Sequence, residues 1–171
     1  MLIKSKKLDF CGKFLSEHKL RLVLAESMTA GYLSNVFSLE SHAGDYFLGS
    51  VVSYHDEMKR MALQIDPRII QQYGGVSFEV TAAMVAGLAR NFQSDIRIAN
   101  TGFAYECKET TAENPVGTVY IQLQFDDYEL VQKCNFQGDP QQIIKDTCLQ
   151  VIEMLYEVVQ LYRDNNLTKH Q

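Results

Sequence analysis

Positive charge is scarce in this chain: 16 Lys and Arg stand against 21 Asp and Glu, a formal balance of −5 at pH 7 with histidine neutral. Nucleic-acid binding draws on clustered cations, so the deficit argues against DNA or RNA as a main partner. Lys4-Ser5-Lys6-Lys7 is the one basic concentration, and a solvated terminus explains it. The four cysteines, Cys11, Cys107, Cys134 and Cys148, lie far apart with no C-x-x-C pair. That spacing argues against a zinc site and a disulfide framework and leaves reduced thiols as the reading. The amino terminus lacks the apolar core of a signal peptide, and no apolar run approaches bilayer-spanning length. A cytoplasmic protein without a membrane partner is therefore expected. Internal repeats and low-complexity tracts are also missing.

What remains is an ordinary balance for a soluble globular protein, 46% hydrophobic and 22% charged over 171 residues. The length predicts one domain across residues 1–171, with a core over about 7–162 and a polar tail over 163–171. A domain of this size buries roughly 70% of its unfolded surface.

Apolar periodicity predicts a helix from Lys7 to His18, a strand from Arg21 to Ala25 and a helix from Thr29 to Leu39. Residues 41–45 read as a loop, Phe47 to Tyr54 as a strand, and Asp56 to Leu63 as a short helix. Asp66-Pro67 signals a helix start, and Ser77 caps a further helix that carries Val80, Met84, Leu88 and Phe92 at helical spacing. Asp95 to Thr101 reads as a strand, and Tyr105 to Asn114 as an exposed polar loop. Thr118 to Phe125 alternates apolar and polar residues, which predicts a strand with one less buried face. Asp126-Asp127 turns it into an antiparallel partner over Tyr128 to Phe136, and Asp139-Pro140 opens a long final helix. Helices alternating with strands, plus a late hairpin, predict an α/β fold with a mixed sheet covered on both faces.

Leu22-Val23-Leu24-Ala25 runs straight into Glu26-Ser27-Met28-Thr29-Ala30-Gly31, a strand-to-helix turn of small and hydroxylated residues. Such a turn gathers backbone N–H groups at the positive end of a helix dipole, where α/β proteins hold anions or nucleophiles. Taken alone, the segment favours a simpler role for Ser27 or Thr29, as a helix cap. A serine nucleophile needs a base. Of the four histidines only His55 falls near other candidate groups, and no G-x-S-x-G elbow exists, so a Ser-His-Asp triad has little support. Lys59, five residues after Tyr54, is the alternative base; in isolation it reads as a solvated helix residue, with Arg60 equally eligible. Thr101-Gly102 at a strand end reads locally as a turn, as does Asn114-Pro115-Val116-Gly117-Thr118, and Asn100 needs a partner if buried.

Taken in order, Ala25-Glu26-Ser27-Met28-Thr29-Ala30-Gly31, Val51-Val52-Ser53-Tyr54-His55-Asp56-Glu57-Met58-Lys59, Val76-Ser77, Asn100-Thr101-Gly102-Phe103-Ala104 and Pro115-Val116-Gly117-Thr118-Val119 resemble the motifs of the CinA C-terminal domain family. Characterised members of that family act as nicotinamide mononucleotide deamidases. The resemblance spans roughly residues 7–160 and implies a three-layer α/β/α sandwich with a mixed, mostly parallel sheet of about five strands. It also implies hydrolysis of the carboxamide of nicotinamide mononucleotide, or a related carboxamide, to the carboxylic acid and ammonia, without metal or organic cofactor. Ser27 maps to the nucleophile and Lys59 to the base, with Tyr54 orienting the pair or the substrate and Thr101 contacting the reacting group or the ligand. Substrate contacts are implied at Thr29, Ala30, Gly31, Gly102, Gly117 and Lys145, and a homo-oligomer is implied by the same resemblance.

The chain departs from the family pattern at Met28, which replaces Cys, and at Ala30, which replaces the first Gly of the turn. The glycine-rich loop after the threonine is here Tyr105-Glu106-Cys107-Lys108-Glu109, whose carboxylates oppose a nearby phosphate. Pro140 follows Gly138-Asp139 where the family tends to carry Arg, leaving Lys145 as the substitute cation. These changes define a second reading, a relative that keeps the fold and binds a nucleotide or a regulatory partner without turnover.

Overall fold

The computed structural model describes residues 3–164. The elements run α1 (Lys6–Glu17), β1 (Leu22–Glu26), α2 (Tyr32–Ser38), α3 (Ala43–Tyr46), β2 (Phe47–Val52), α4 (Asp56–Leu63), α5 (Pro67–Tyr73), α6 (Phe78–Asn91), β3 (Ile96–Gly102), β4 (Thr118–Phe125), β5 (Tyr128–Asn135) and α7 (Pro140–Arg163). The expected caps form: Asp66 accepts from Arg68 N–H at 2.9 Å, Ser77 from Val80 N–H at 3.2 Å, and Asp139 from Gln142 N–H at 2.9 Å.

The sheet order is β2-β1-β3-β4-β5. β1 pairs parallel with β2 and β3, while β4 pairs antiparallel with both β3 and β5. β4 thus runs against the other four strands, giving the mixed sheet that the alternating elements and the hairpin called for.

Strand alternation sorts β1 between two cores. Leu22 and Leu24 join α1, α2, α3 and α7 on one face, while Val23 and Ala25 join Leu63, Val80, Met84 and Leu88 of α4 and α6 on the other. Three layers result. The polar-looking face of β4 is not a wet one: Tyr120 is 5% and Gln122 4% exposed, because α6 packs over it. That corrects the less buried face inferred from the alternation.

Other boundaries shift for local reasons. α2 starts at Tyr32 instead of Thr29, because Ala30 (φ +50°) and Gly31 (φ +94°) both take the left-handed region and break the helical path. Residues 43–46 form a helical turn where a loop was expected. α7 continues to Arg163 with Asp164 as its C-cap, so the tail expected over 163–171 begins inside a helix; residues 165–171, with His170, lie outside the described residues. Among the described residues no helix is long and apolar enough to cross a membrane.

β1, β2 and β3 share one direction, so the turns after Glu26, Val52 and Gly102 come out at the same edge of the sheet. Ser53 N–H donates to the Glu26 carbonyl at 2.7 Å and ties the first two of these turns together. Ligand sites of open α/β sheets form at this edge.

Candidate functional site

The turn after β1 is organised by Glu26, which the sequence reading passed over. Its side chain is fully buried. One carboxylate oxygen accepts from Thr29 Oγ1 at 2.8 Å, Gly31 N–H at 2.9 Å and Leu33 N–H at 3.1 Å. The other accepts from Ser34 N–H and Ser50 Oγ, both at 2.9 Å. A buried carboxylate is costly unless it is hydrogen-bonded, and here the positive end of α2 compensates it. The cap of α2 is therefore Glu26 and neither Ser27 nor Thr29. The expectation of free N–H groups for a ligand is corrected at Gly31, Leu33 and Ser34, whose donors are spent inside the protein. Ala30 N–H bonds the Ser27 carbonyl at 3.1 Å and Tyr32 N–H the Thr29 carbonyl at 2.8 Å, so they too are used locally.

With the turn held from beneath, Ser27 faces a cleft of about 300 Å³ whose walls also include Tyr54, Asp56, Lys59, Gly75, Gly102 and Glu109. Lys59 is only 2% exposed although it sits on a short amphipathic helix. Its Nζ donates to Asp56 Oδ1 at 2.9 Å and to the Tyr54 carbonyl at 3.5 Å. The i,i+3 spacing on α4 puts the two charges on one face, and the capping of α4 by His55 Nδ1 on Glu57 N–H fixes where that face points. Asp56 approaches closely because residue 75 has no side chain: a Cβ there would lie 2.7 Å from Asp56 Oδ1. Tyr54, 58% exposed, offers its ring at the mouth.

Of the residues assigned catalytic or substrate contacts, Ser27, Tyr54, Lys59 and Gly102 thus line one cleft, and His55 lines it too. The others do not line it. Thr29 is buried, donating to Glu26 and accepting from Asn100 Nδ2 at 3.1 Å, which also supplies the partner that the buried Asn100 required. Thr101 is buried behind the cleft; Thr81 Oγ1 donates to the Ser77 carbonyl at 2.7 Å, so the Thr101 hydroxyl donates to Thr81 at 2.9 Å. Ala30 and Gly31 shape the turn without lining the cavity. Gly117 lies at the start of β4, its N–H bonded to the Phe103 carbonyl at 2.7 Å and its carbonyl accepting from Phe136 N–H at 2.9 Å. Lys145 is a half-buried residue of α7. Of the loop after β3, Cys107 and Glu109 reach the cleft and Glu106 does not.

Asp56 and Gly75 are the lining residues that sequence reasoning missed. The i,i+3 carboxylate preceding Lys59 was a usable signal for the first. The second has none in sequence, since its need comes from a through-space approach. Among the described residues, no group of three or more His, Cys, Asp or Glu side chains is arranged to hold a metal ion.

Comparison with known proteins agrees with this architecture. The sequence profile of the CinA C-terminal domain matches residues 5–159. A CinA-like protein of Geobacter sp. (strain M21) is 37% identical over 147 residues, 86% of this chain and 35% of that protein. A CinA-like protein of Thermotoga neapolitana is 34% identical over 143 residues, 84% of this chain and 35% of its own length. The chain therefore spans about a third of the curated relatives it matches. Among solved structures, a CinA superfamily protein from Klebsiella pneumoniae 700603 superposes with a TM-score of 0.82 at 25% identity, over 91% of this chain and 96% of that one. The competence/damage inducible protein CihA from Agrobacterium tumefaciens gives the same TM-score of 0.82 at 20% identity, over 94% and 99%.

Proposed function

The chain belongs to the CinA C-terminal domain family, and on that premise we propose that it is an amidohydrolase releasing ammonia from the carboxamide of nicotinamide mononucleotide or a related compound. The observation that carries this reading is the common cleft: a serine hydroxyl and a desolvated lysine amine line one cavity at the sheet edge. Amide hydrolysis by a serine needs these two groups within reach of one carbonyl carbon.

In the proposed reaction the Lys59 amine takes the proton of the Ser27 hydroxyl as Oγ bonds to the carboxamide carbon. The tetrahedral adduct collapses, the proton passes to the leaving nitrogen, and ammonia departs. Water then attacks the Ser27 ester, its proton going to Lys59, and the carboxylic acid leaves with Ser27 restored. The balance is one amide and one water to one acid and one ammonia. Asp56 holds the lysine after it has gained the proton, since its carboxylate lies 2.9 Å from Nζ. Tyr54 lends its ring to orient the substrate, while the missing side chain of Gly102 lets the end of β3 pack closely on Thr118 and Val119 beside the cleft. Thr101 contributes indirectly, by fixing the end of β3 through its bond to Thr81.

The test is ammonia release from nicotinamide mononucleotide by the purified protein beside Ser27→Ala. Release that falls to background in the variant supports the reading. A variant that keeps the parent rate removes the serine from the chemistry. A second reading, ligand binding without turnover, is favoured by the Lys59–Asp56 contact at 2.9 Å, which engages the amine inside the protein. Mononucleotide binding with no ammonia released would select it.

A further inference from the structure

We infer that the cleft is selective for a carboxamide without a phosphate, a cationic pyridinium riboside being preferred over the corresponding mononucleotide. The inference rests on the amidohydrolase reading above and concerns which substrate that site accepts. Three independent observations lead to it.

The first is that the anion-binding equipment of the turn is already occupied. A phosphate at a helix N-terminus is held by free backbone N–H groups. Here Gly31, Leu33 and Ser34 N–H all point at the Glu26 carboxylate, which is an internal anion in the place an external one would take. A phosphate is therefore not held at that end, and selectivity for or against one falls to the side chains of the cleft walls.

The second is the charge of the walls. Among the described residues lining the cleft, Lys59 is the one Lys or Arg, and its charge is matched by Asp56 at 2.9 Å. Glu109 is then left over. The two carboxylates flank adjacent glycines: Asp56 Oδ1 lies 2.7 Å from where a Cβ on Gly75 would be, and Glu109 Oε2 lies 3.9 Å from where one on Gly74 would be. Gly75 lets Asp56 close on the cavity, while Glu109 stands at ordinary contact distance from residue 74. The loop that carries Glu109 also holds Glu106, Lys108 and Glu113, and Lys133 of β5 donates to the Glu113 carbonyl at 3.3 Å, so Glu109 is the loop carboxylate that bears on the cleft. Such a lining repels a phosphate dianion and attracts a cationic ring.

The third is shape and surface. At about 300 Å³ the cleft stands at the small end of ligand cavities. Tyr54 presents an exposed aromatic face at the mouth, a favourable platform for a delocalised cation.

The experiment measures ammonia release from nicotinamide riboside and from nicotinamide mononucleotide by the parent protein, Glu109→Gln and Glu109→Lys. Residue 109 lies on an exposed loop, and circular dichroism confirms that the variants fold. The expected result is a kcat/KM for the riboside on the order of tenfold above that for the mononucleotide. Glu109→Lys should move the ratio toward the mononucleotide by on the order of tenfold, with Glu109→Gln between. A parent protein that prefers the mononucleotide, or a ratio unmoved in Glu109→Lys, overturns the inference. If neither compound releases ammonia, the amidohydrolase reading fails, and calorimetric affinities of the same two compounds decide the charge selectivity separately. Tighter riboside binding that weakens in Glu109→Lys upholds it. Equal or tighter mononucleotide binding, or no binding of either, overturns it.

Discussion

Replacing Glu26 with glutamine tests whether one buried carboxylate organises the turn that carries Ser27. Glutamine keeps the shape and exchanges one acceptor oxygen for a donor NH₂. The less costly orientation keeps the amide oxygen on Thr29 Oγ1, Gly31 N–H and Leu33 N–H, and turns the NH₂ toward Ser34 N–H and Ser50 Oγ. The Ser50 hydroxyl can rotate to accept, but Ser34 N–H then faces another donor. An unsatisfied N–H costs about 1–3 kcal/mol, and three charge-assisted bonds become neutral ones at a further few tenths to half a kcal/mol each. The expected loss is about 2–4 kcal/mol, a large share of the roughly 5–15 kcal/mol that stabilises a domain. At roughly 2–4 °C per kcal/mol for this size, the thermal midpoint falls by about 5–15 °C. Urea unfolding followed by circular dichroism measures the difference, with an unchanged slope as the sign that only stability moved. A loss below about 1 kcal/mol would refute the assignment of Glu26 as the anchor.

Gly75→Ala puts a Cβ 2.7 Å from Asp56 Oδ1, so the carboxylate must withdraw from Lys59. Ammonia release should fall on the order of ten- to a hundredfold with little change in thermal midpoint, and an unchanged rate would deny the ion pair a positioning role. Ala30 sits at φ +50°, which glycine adopts without strain; Ala30→Gly should leave stability level or raise it by up to about 1 kcal/mol in urea, and a clear loss would contradict the strain. Exposed Cys107 should react with a thiol reagent first, half-buried Cys134 more slowly, and buried Cys11 and Cys148 only on unfolding. Burial, helped by the nearby Glu153 and Glu40 carboxylates, pushes the Cys11 thiol up to about 12 from an ordinary 9.0. The folded state favours the neutral thiol, so its contribution is complete below pH 9 and is lost as pH rises toward 12. A urea midpoint flat across that range in the parent, or falling equally in Cys11→Ala, would contradict the sign.

Local chemistry made most of the architecture readable. Asp66-Pro67, Ser77 and Asp139-Pro140 marked three helix starts through capping that depends only on neighbours. The hairpin turn at Asp126-Asp127 and the run 118–125 did the same for β4 and β5. What escaped depended on distant partners. The polar alternation of β4 suggested a wet face because it carries no trace of α6 lying over Tyr120 and Gln122. Glu26 looked like a turn residue because five donors from residues 29 to 50 meet on it only after folding. In the cleft, the family motifs singled out Ser27, Tyr54, Lys59 and Gly102, which converge there, but also Thr101 and Thr29, whose hydroxyls turn inward to Thr81 and Glu26. A motif records that a hydroxyl is needed without saying which way it points.

The most direct measurement is peptide mass spectrometry on reactions quenched by acid within the first turnover. An acyl group derived from the carboxamide should be found as an ester on Ser27, absent in Ser27→Ala and diminished in Lys59→Met. Ammonia released at the parent rate with Ser27 unmodified, and undiminished by Ser27→Ala, would contradict nucleophilic catalysis at this cleft.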